Sequence, residues 1–368
     1  MKLLHIADLH IGKRVLEQSM AEDIAFILSQ ILQIARDEQV AGVLIAGDVY
    51  DRAVPSVEAV SQFSDFLSAL SQLQIPVFVI AGNHDSPERL GFCGDLLRLG
   101  GVHVAGPCRG KADTVVLAGE ERVAVHMVSH ARTAALRPYF EEPLESDAAA
   151  MRAVLSRLDR TVADRHILMA HAFVAGGATC DSEINPVGTA EAISPAVFEG
   201  FDYVALGHLH APQTVASGVR YAGSPLKYSF SEKDHRKSVT VLEILPNTPV
   251  RYREVPLVAL RDMREIKGEL ATLLQGEYSE DYIRAVVTDE DVPPDARVAL
   301  QTVYPNLLRF AVENHRTAYE EDVSQAECVE QRDPLSLFAE FYERQSGLAP
   351  DEARLALMRE LLGEEVEK

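Results

Sequence analysis

Short, mainly apolar runs recur along the first two thirds of the chain: Lys2–Ala7, Val43–Gly47, Val77–Ile80, His166–Ala170 and Asp202–Gly207. Consecutive rather than alternating apolar positions, rich in β-branched residues, predict buried strands. The stretches between the first three have a helical period instead. Leu16 to Gln39 carries Ile24, Ile27, Leu28, Ile31, Leu32 and Ile34 at that spacing, and Pro55-Ser56 opens a second helix through Leu73 with Val57, Val60, Phe63, Phe66, Leu67 and Leu70 as its buried stripe. The resulting β-α-β-α-β order predicts parallel strands joined by right-handed crossovers.

Val102–Val104, Thr114–Leu117 and Arg122–Val128 read as further sheet, residues 147–163 as a helix, and the glycine-rich 175–192 as a loop. Gln213–Ala222 and Ser238–Ile244 read as strands that close the sheet, and Leu245–Pro249 as a boundary. A mixed β and helical stretch follows to about Glu330, with strands at Ile283–Thr288 and Leu308–Val312. Asp333-Pro334 then caps a helix bearing Leu335, Leu337, Phe338, Phe341 and Tyr342; Gly347–Asp351 turns the chain, and Ala353–Leu362 is a second helix. So apolar a terminal hairpin needs a surface, either the preceding domain or the helices of a partner.

Composition narrows the class. At 368 residues and 47% apolar content the chain exceeds one ordinary domain and can bury a core. Cys93, Cys108, Cys180 and Cys328 form no CxxC pair, which argues against a zinc knuckle or disulfide framework and for a reducing compartment. No signal-peptide pattern or long apolar run is present, so a soluble, cytoplasmic protein with no membrane contact is expected. The net charge of −21 weighs against unaided DNA binding. Residues 1–260 hold 23 Lys+Arg against 31 Asp+Glu, and the remainder 12 against 25, so the acid is concentrated in the last third.

The chemistry sits where the apolar runs stop. Asp8 and His10 follow the first, Asp48 the second, Asn83-His84-Asp85 the third, His171 the fourth, and His208 and His210 the fifth. A single Asn or Asp after a strand is an ordinary turn residue. Five such endings predict one constellation along one edge of a sheet, where α/β proteins place ligands. Residues two apart at a strand end can point the same way, so Asp-x-His and His-x-His suit metal binding. Carboxylate, amide and imidazole donors without thiolate favour Mn²⁺, Fe²⁺ or Zn²⁺ over Ca²⁺ and Mg²⁺. Seven donors exceed one ion's needs; two ions about 3.5–4 Å apart, bridged by a carboxylate, would use them all and clamp a phosphoryl displacement. Asp51 reads as a loop hydrogen-bonding residue, and His5, His103, His126, His130 and His166 as structural.

Asp8-x-His10, Gly47-Asp48-x-x-Asp51, Gly82-Asn83-His84-Asp85, His171 and Gly207-His208-x-His210 resemble, in order, the signature blocks of calcineurin-like metallophosphoesterases. His5–His10, Asp202–His210 and Ala222–Glu232 make the chain similar to the SbcD-type nuclease subunits of double-strand-break repair. The resemblance implies an α/β fold, a β-sandwich flanked by helices in αββα layers, with a small α+β capping domain and a C-terminal helical hairpin. It divides the chain into a nuclease domain at 1–245, a cap at 246–330 and a partner-docking hairpin at 331–368. It gives one ion to Asp8, His10, Asp48 and His210 and the other to Asp48, Asn83, His171 and His208. His84 would act on the phosphate, with Asp85 orienting its ring. The family implies Mn²⁺, 3′→5′ exonuclease action on duplex DNA, single-strand and hairpin endonuclease activity in DNA repair and recombination, an SbcC-type coiled-coil ATPase partner, and two copies of each subunit. Rival functions are a phosphomonoesterase or nucleotidase on the same site, and a non-catalytic metal-binding scaffold; Asp51-Arg52-Ala53 departs from the Asp-Arg-Gly of the superfamily's protein phosphatases.

Overall fold

The computed structural model describes residues 1–183, 192–314, 335, 338, 339, 342 and 350–361. The chain forms two units: Met1–Ile266 with Gly276–Ala285 and Arg297–Phe310, and Lys267–Gln275 with Val286–Ala296 and Ala311–Lys368. Its strands are β1 (Lys2–Ile6), β2 (Arg14–Val15), β3 (Gln18–Ser19), β4 (Val43–Ala46), β5 (Val77–Ile80), β6 (Val102–Val104), β7 (Asp113–Leu117) and β8 (Val123–Val128). They continue with β9 (Arg165–His171), β10 (Tyr203–Gly207), β11 (Gln213–Ala216), β12 (Val219–Tyr221), β13 (Ser238–Glu243) and β14 (Arg251–Pro256). Two six-stranded sheets result, in the orders β14-β13-β1-β4-β5-β6 and β11-β12-β10-β9-β8-β7. Within them β1, β4, β5 and β6 run parallel, as do β8, β9, β10 and β12. A three-stranded sheet of β15 (Met263–Gly268), β16 (Tyr282–Val287) and β17 (Leu307–Val312) follows.

The apolar runs arise because the central strands are covered on both faces. Between the two large sheets Leu3, Leu44, Phe78 and Ile80 meet Val125, Ile167, Met169 and Ala205. On the outer face of the first sheet, Leu4, Ile45 and Val79 pack against Ile24, Ile27 and Ile31 of α1 (Ala21–Asp37) and Phe63, Phe66 and Leu70 of α2 (Val57–Gln72). Val154 and Leu155, on the helix Asp147–Leu155, and Phe198 cover Leu168, Val204 and Leu206 of the second. Each side chain so buried contributes about 1.5–3 kcal/mol of transfer free energy. This is the helix-flanked β-sandwich that the resemblance implied.

Several local expectations are revised. The first helix begins at Ala21 rather than Leu16, because Leu16 and Glu17 take positive φ in the turn of the β2–β3 hairpin. Ser56 caps α2 by accepting from the Ala59 N–H at 3.2 Å. Its buried side comprises Ala59, Phe63, Phe66 and Leu70; Val57 and Val60 are exposed. Gln213–Ala222 divides into a hairpin of β11 and β12. The chain does not leave the sandwich at Leu245–Pro249: β14 pairs with β13 from Glu243–Arg251 to Ser238–Pro256, so the first sheet ends only at Pro256. Of the terminal hairpin, the second helix is Glu352–Leu361; most of the first lies outside the described residues.

Candidate metal centre

The seven expected ligands do converge, but they come from two sheets rather than from one edge. Asp8 and His10 follow β1, Asp48 follows β4 and Asn83 follows β5; His171 ends β9, and His208 and His210 follow β10. The centre therefore lies in the seam where the C-terminal ends of both sets of parallel strands meet. Asp8, His10, Asp48 and His208 take φ of 53°, 44°, 48° and 113°. Non-glycine residues rarely adopt such angles, at a cost of about 1–3 kcal/mol each, and they cluster at functional sites. Glycine makes the approach possible: a β-carbon on Gly82 would lie 2.1 Å from Asp48 Oδ1, and one on Gly207 1.9 Å from the Ala46 carbonyl oxygen.

Metal-donor atoms crowd each other across the seam. His10 Nε2 and His210 Nε2 are 3.2 Å apart, and Asn83 Oδ1 is 3.0 Å from both His171 Nε2 and His208 Nδ1. Asp48 Oδ2 lies 3.4 Å from His171 Nε2 and 3.8 Å from His10 Nε2. Metal–ligand bonds of about 2.1 Å place neighbouring donors about 3.0–3.4 Å apart, so all these spacings but that of Asp48 to His10 fit cation coordination. Asp8 Oδ2 is buried without a hydrogen-bond partner, an acceptor that a cation would satisfy. Asp8, His10 and His210 group on one side and Asp8, Asp48 and His171 on the other.

A model of the family described as "Calcineurin-like phosphoesterase" matches residues 1–212, and one described as "Type 5 capsule protein repressor C-terminal domain" matches residues 259–346. The SbcD subunit of the nuclease SbcCD of Staphylococcus epidermidis is 31% identical, with 93% of each chain aligned. The protein of the same name from Bacillus subtilis is 33% identical over 98% of this chain and 97% of its own. The chain belongs to the SbcD family of calcineurin-like phosphoesterases. The crystal structure of TT1561 of Thermus thermophilus aligns with a TM-score of 0.40 at 14% identity, covering 69% of this chain and 98% of that one.

In this SbcD-family centre burial and neighbouring charge set the electrostatics. Burial pushes the Asp8 carboxyl up to about 7, with His171 and His210 acting the other way. Asp48 is equally buried, yet the charge and hydrogen bond of His171 outweigh burial and hold it below the usual carboxylate range. Burial lowers His208 to about 3 and His10 well below the imidazole range. Neutral His10 and His208 and an ionised Asp48 are in the protonation states that bind divalent cations, whereas the charges of Asp48 and Asp8 outweigh burial and push His171 up to about 9, a proton that a bound cation would displace.

His84 is half-buried beside the donors, its ring 4.9 Å from that of His10 and perpendicular to it. Its N–H donates to Asp48 Oδ1, and its Nδ1 donates to the Asp51 carbonyl oxygen at 2.9 Å. Asp85 does not orient that ring. Its carboxylate accepts instead from the N–H groups of Val49, Tyr50 and Gly82, tying the turn after β4 to the turn after β5. Asp51 thus holds His84 through its backbone, while its side chain pairs with Lys13 at 2.8 Å. His5 bonds Tyr203 and Leu206, His126 bonds His166, and His103 stacks on Phe78, all away from the donors. His130, also read as structural, bonds the His171 carbonyl oxygen through Nδ1 at 3.2 Å and so stands next to a candidate ligand without offering that nitrogen to the donors. Sequence reasoning also assigned no role to Glu183, Tyr228, Glu232 and Lys237, which surround His210; the signal was the Ala222–Glu232 stretch, which supplied family likeness but no function.

Proposed function

We propose that this chain is the nuclease subunit of an SbcCD-type complex, hydrolysing DNA phosphodiesters at a two-cation centre that takes Mn²⁺. The observation that carries the reading is the convergence of seven donors from two sheets, Asp8, His10, Asp48, His171 and His210 in metal-sized groups and Asn83 Oδ1 3.0 Å from both His171 and His208, on a chain whose full-length relatives are named nucleases. Family membership makes the protein a hydrolase acting on phosphodiester bonds. Asp8, His10, Asp48 and His210 would hold one cation and Asp48, Asn83, His171 and His208 the other. Bound there, the ions supply charge neutralisation and activation of the attacking water.

The chain's own groups complete the chemistry. The anchored Nδ1 of His84 leaves Nε2 to face the scissile phosphate, where it stabilises the developing charge or passes a proton to the leaving oxygen. Asp85 keeps the turn bearing Asn83 and His84 in register with the turn bearing Asp48. On this reading the chain acts as a 3′→5′ exonuclease on duplex DNA and as an endonuclease on single strands and hairpins, in DNA repair and recombination. The chain beyond Pro256 would cap the site, and residues 331–368 would dock on an SbcC-type coiled-coil ATPase. Such a partner offsets the unfavourable net charge of −21 for DNA binding. No described helix is long and apolar enough to cross a membrane. Exposed Phe92, Leu96 and Leu99, just beyond the His84 turn, offer a surface for a second copy.

The test is cleavage of end-labelled linear and hairpin DNA with Mn²⁺, beside His84→Ala. The wild type should cut, and the variant should bind Mn²⁺ yet lose most cleavage. Hydrolysis of p-nitrophenyl phosphate with DNA left intact would replace this reading by a phosphomonoesterase; Mn²⁺ binding with no hydrolysis of any phosphoester would leave a scaffold.

A further inference from the structure

We propose that Glu232 is the positioning residue for His210, fixing its imidazole proton on Nδ1 so that Nε2 is presented to the cation. The inference rests on the metal-centre reading above. Glu232 is fully buried, and its Oε1 accepts from His210 Nδ1 at 3.1 Å. An imidazole whose Nδ1–H is engaged has its lone pair on Nε2, the atom that faces His10 across the centre at 3.2 Å.

The carboxylate is itself held on every side. Lys237 Nζ donates to Oε2, the Tyr228 N–H donates to Oε1 at 3.3 Å, and the Ser182 hydroxyl donates to Oε1 as well. Lys237 also donates to Ser224 Oγ at 2.8 Å and to the His210 carbonyl oxygen at 2.9 Å. The His210 N–H donates to Glu183 Oε1 at 2.7 Å. Ring, N–H and carbonyl of one ligand are thus each gripped by a charged side chain. The other described ligands lack this. His171 turns its Nδ1 to a backbone carbonyl, and His10 Nδ1 lies 3.8 Å from Asp51 Oδ1, beyond hydrogen-bond reach.

A buried ion pair adds little net stability over an apolar replacement, so stability alone does not account for Glu232 and Lys237. What the pair does is place a carboxylate behind a metal-binding histidine, which fixes the ring and raises its basicity; losing such a partner weakens metal binding about 10–100-fold. The Ala222–Glu232 stretch, with its serine and glutamate, thereby gains a function.

The test neutralises both partners together, so that no buried charge is left unpaired. Glu232→Gln/Lys237→Met keeps an oxygen for Nδ1–H; Glu232→Leu/Lys237→Met does not. Full-length metal-free proteins are titrated with Mn²⁺ by calorimetry, and the His210 tautomer is read from ¹⁵N-histidine spectra. The expected result is Mn²⁺ affinity about 10-fold weaker for the Gln pair and about 100-fold weaker for the Leu pair, with the Nδ1–H tautomer kept in the first and lost in the second. Equal affinities in folded proteins would overturn the proposal. So would an Nε2–H tautomer in the wild type, a measurement that needs no variant. A wild type that binds no Mn²⁺ would overturn the metal-centre reading itself.

Discussion

His171 Nδ1 donates to the Ala46 carbonyl oxygen at 2.9 Å, so the end of a strand in one sheet orients the ring of a candidate ligand from the other. The bond requires the sheets to touch, and they touch at glycine. Gly207→Ala would drive its β-carbon to 1.9 Å from that same oxygen and 2.8 Å from His171 Nδ1. Backbone cannot give way as a flexible side chain does, so the seam must open. We expect Gly207→Ala to lower the melting temperature by several degrees and to abolish Mn²⁺ binding in calorimetry. Retained metal affinity would show that the two sheets need not meet in this way.

Asp8 illustrates a site held at the expense of stability. Burial pushes its carboxyl from the usual 3.8 up to about 7, so the native state keeps a proton that the unfolded state releases. Stability from this group is full below about pH 4 and is lost as pH rises through 7. In chelated protein at pH 8, Asp8→Asn should therefore be more stable than wild type, by on the order of a few kcal/mol. With Mn²⁺ added the order should reverse, since only wild type gains from binding. Urea unfolding with and without metal measures both; a variant that is less stable when chelated contradicts the assignment.

How much of this was legible beforehand follows from which interactions are local. Strands covered on both faces leave a mark in one dimension, and the candidate ligands sit directly at their ends, so Asp8, Asp48, Asn83 and His208 could be read from the chain. Which sheet each strand joins is set by long-range pairing, as with β13 against β1, and no local pattern encodes it. For the same reason Asp85 was assigned to its neighbour His84, when its partners are the N–H groups of Val49 and Tyr50. Glu232 lies twenty-two residues from His210 in sequence and meets it only in the fold. The exposed Val57 and Val60 carry helical periodicity without burial.

Two buried histidines away from the donors should make the protein acid-labile. Burial, with Arg220 nearby, lowers His5 from 6.5 to about 3; burial, with His166 and Arg160, lowers His126 to about 4. Below pH 6.5 the unfolded chain takes up protons that these rings refuse, so stability falls as pH drops from about 6.5 toward 4. At pH 5 each histidine costs about 2 kcal/mol. His5→Phe and His126→Phe, denatured by urea at pH 7.5 and 5, should each lose about that much less than wild type between the two conditions. Parallel losses would mean that the rings titrate normally.

The last prediction concerns the second copy. Phe92, Leu96 and Leu99 are 76%, 67% and 86% exposed, on a short segment immediately after the turn that carries His84. Side chains of this size gain about 1.5–3 kcal/mol each when buried, and a stable interface needs about 800 Å² from each partner. A carboxylate placed at the centre of such an interface has no partner and strongly opposes association. Wild type should therefore elute as a dimer in light-scattering chromatography at micromolar concentration. Leu96→Asp/Leu99→Asp should elute as a monomer, with Mn²⁺ affinity unchanged because neither residue touches a metal donor. A monomeric wild type would refute the paired arrangement, and a dimeric variant would move the contact to another face.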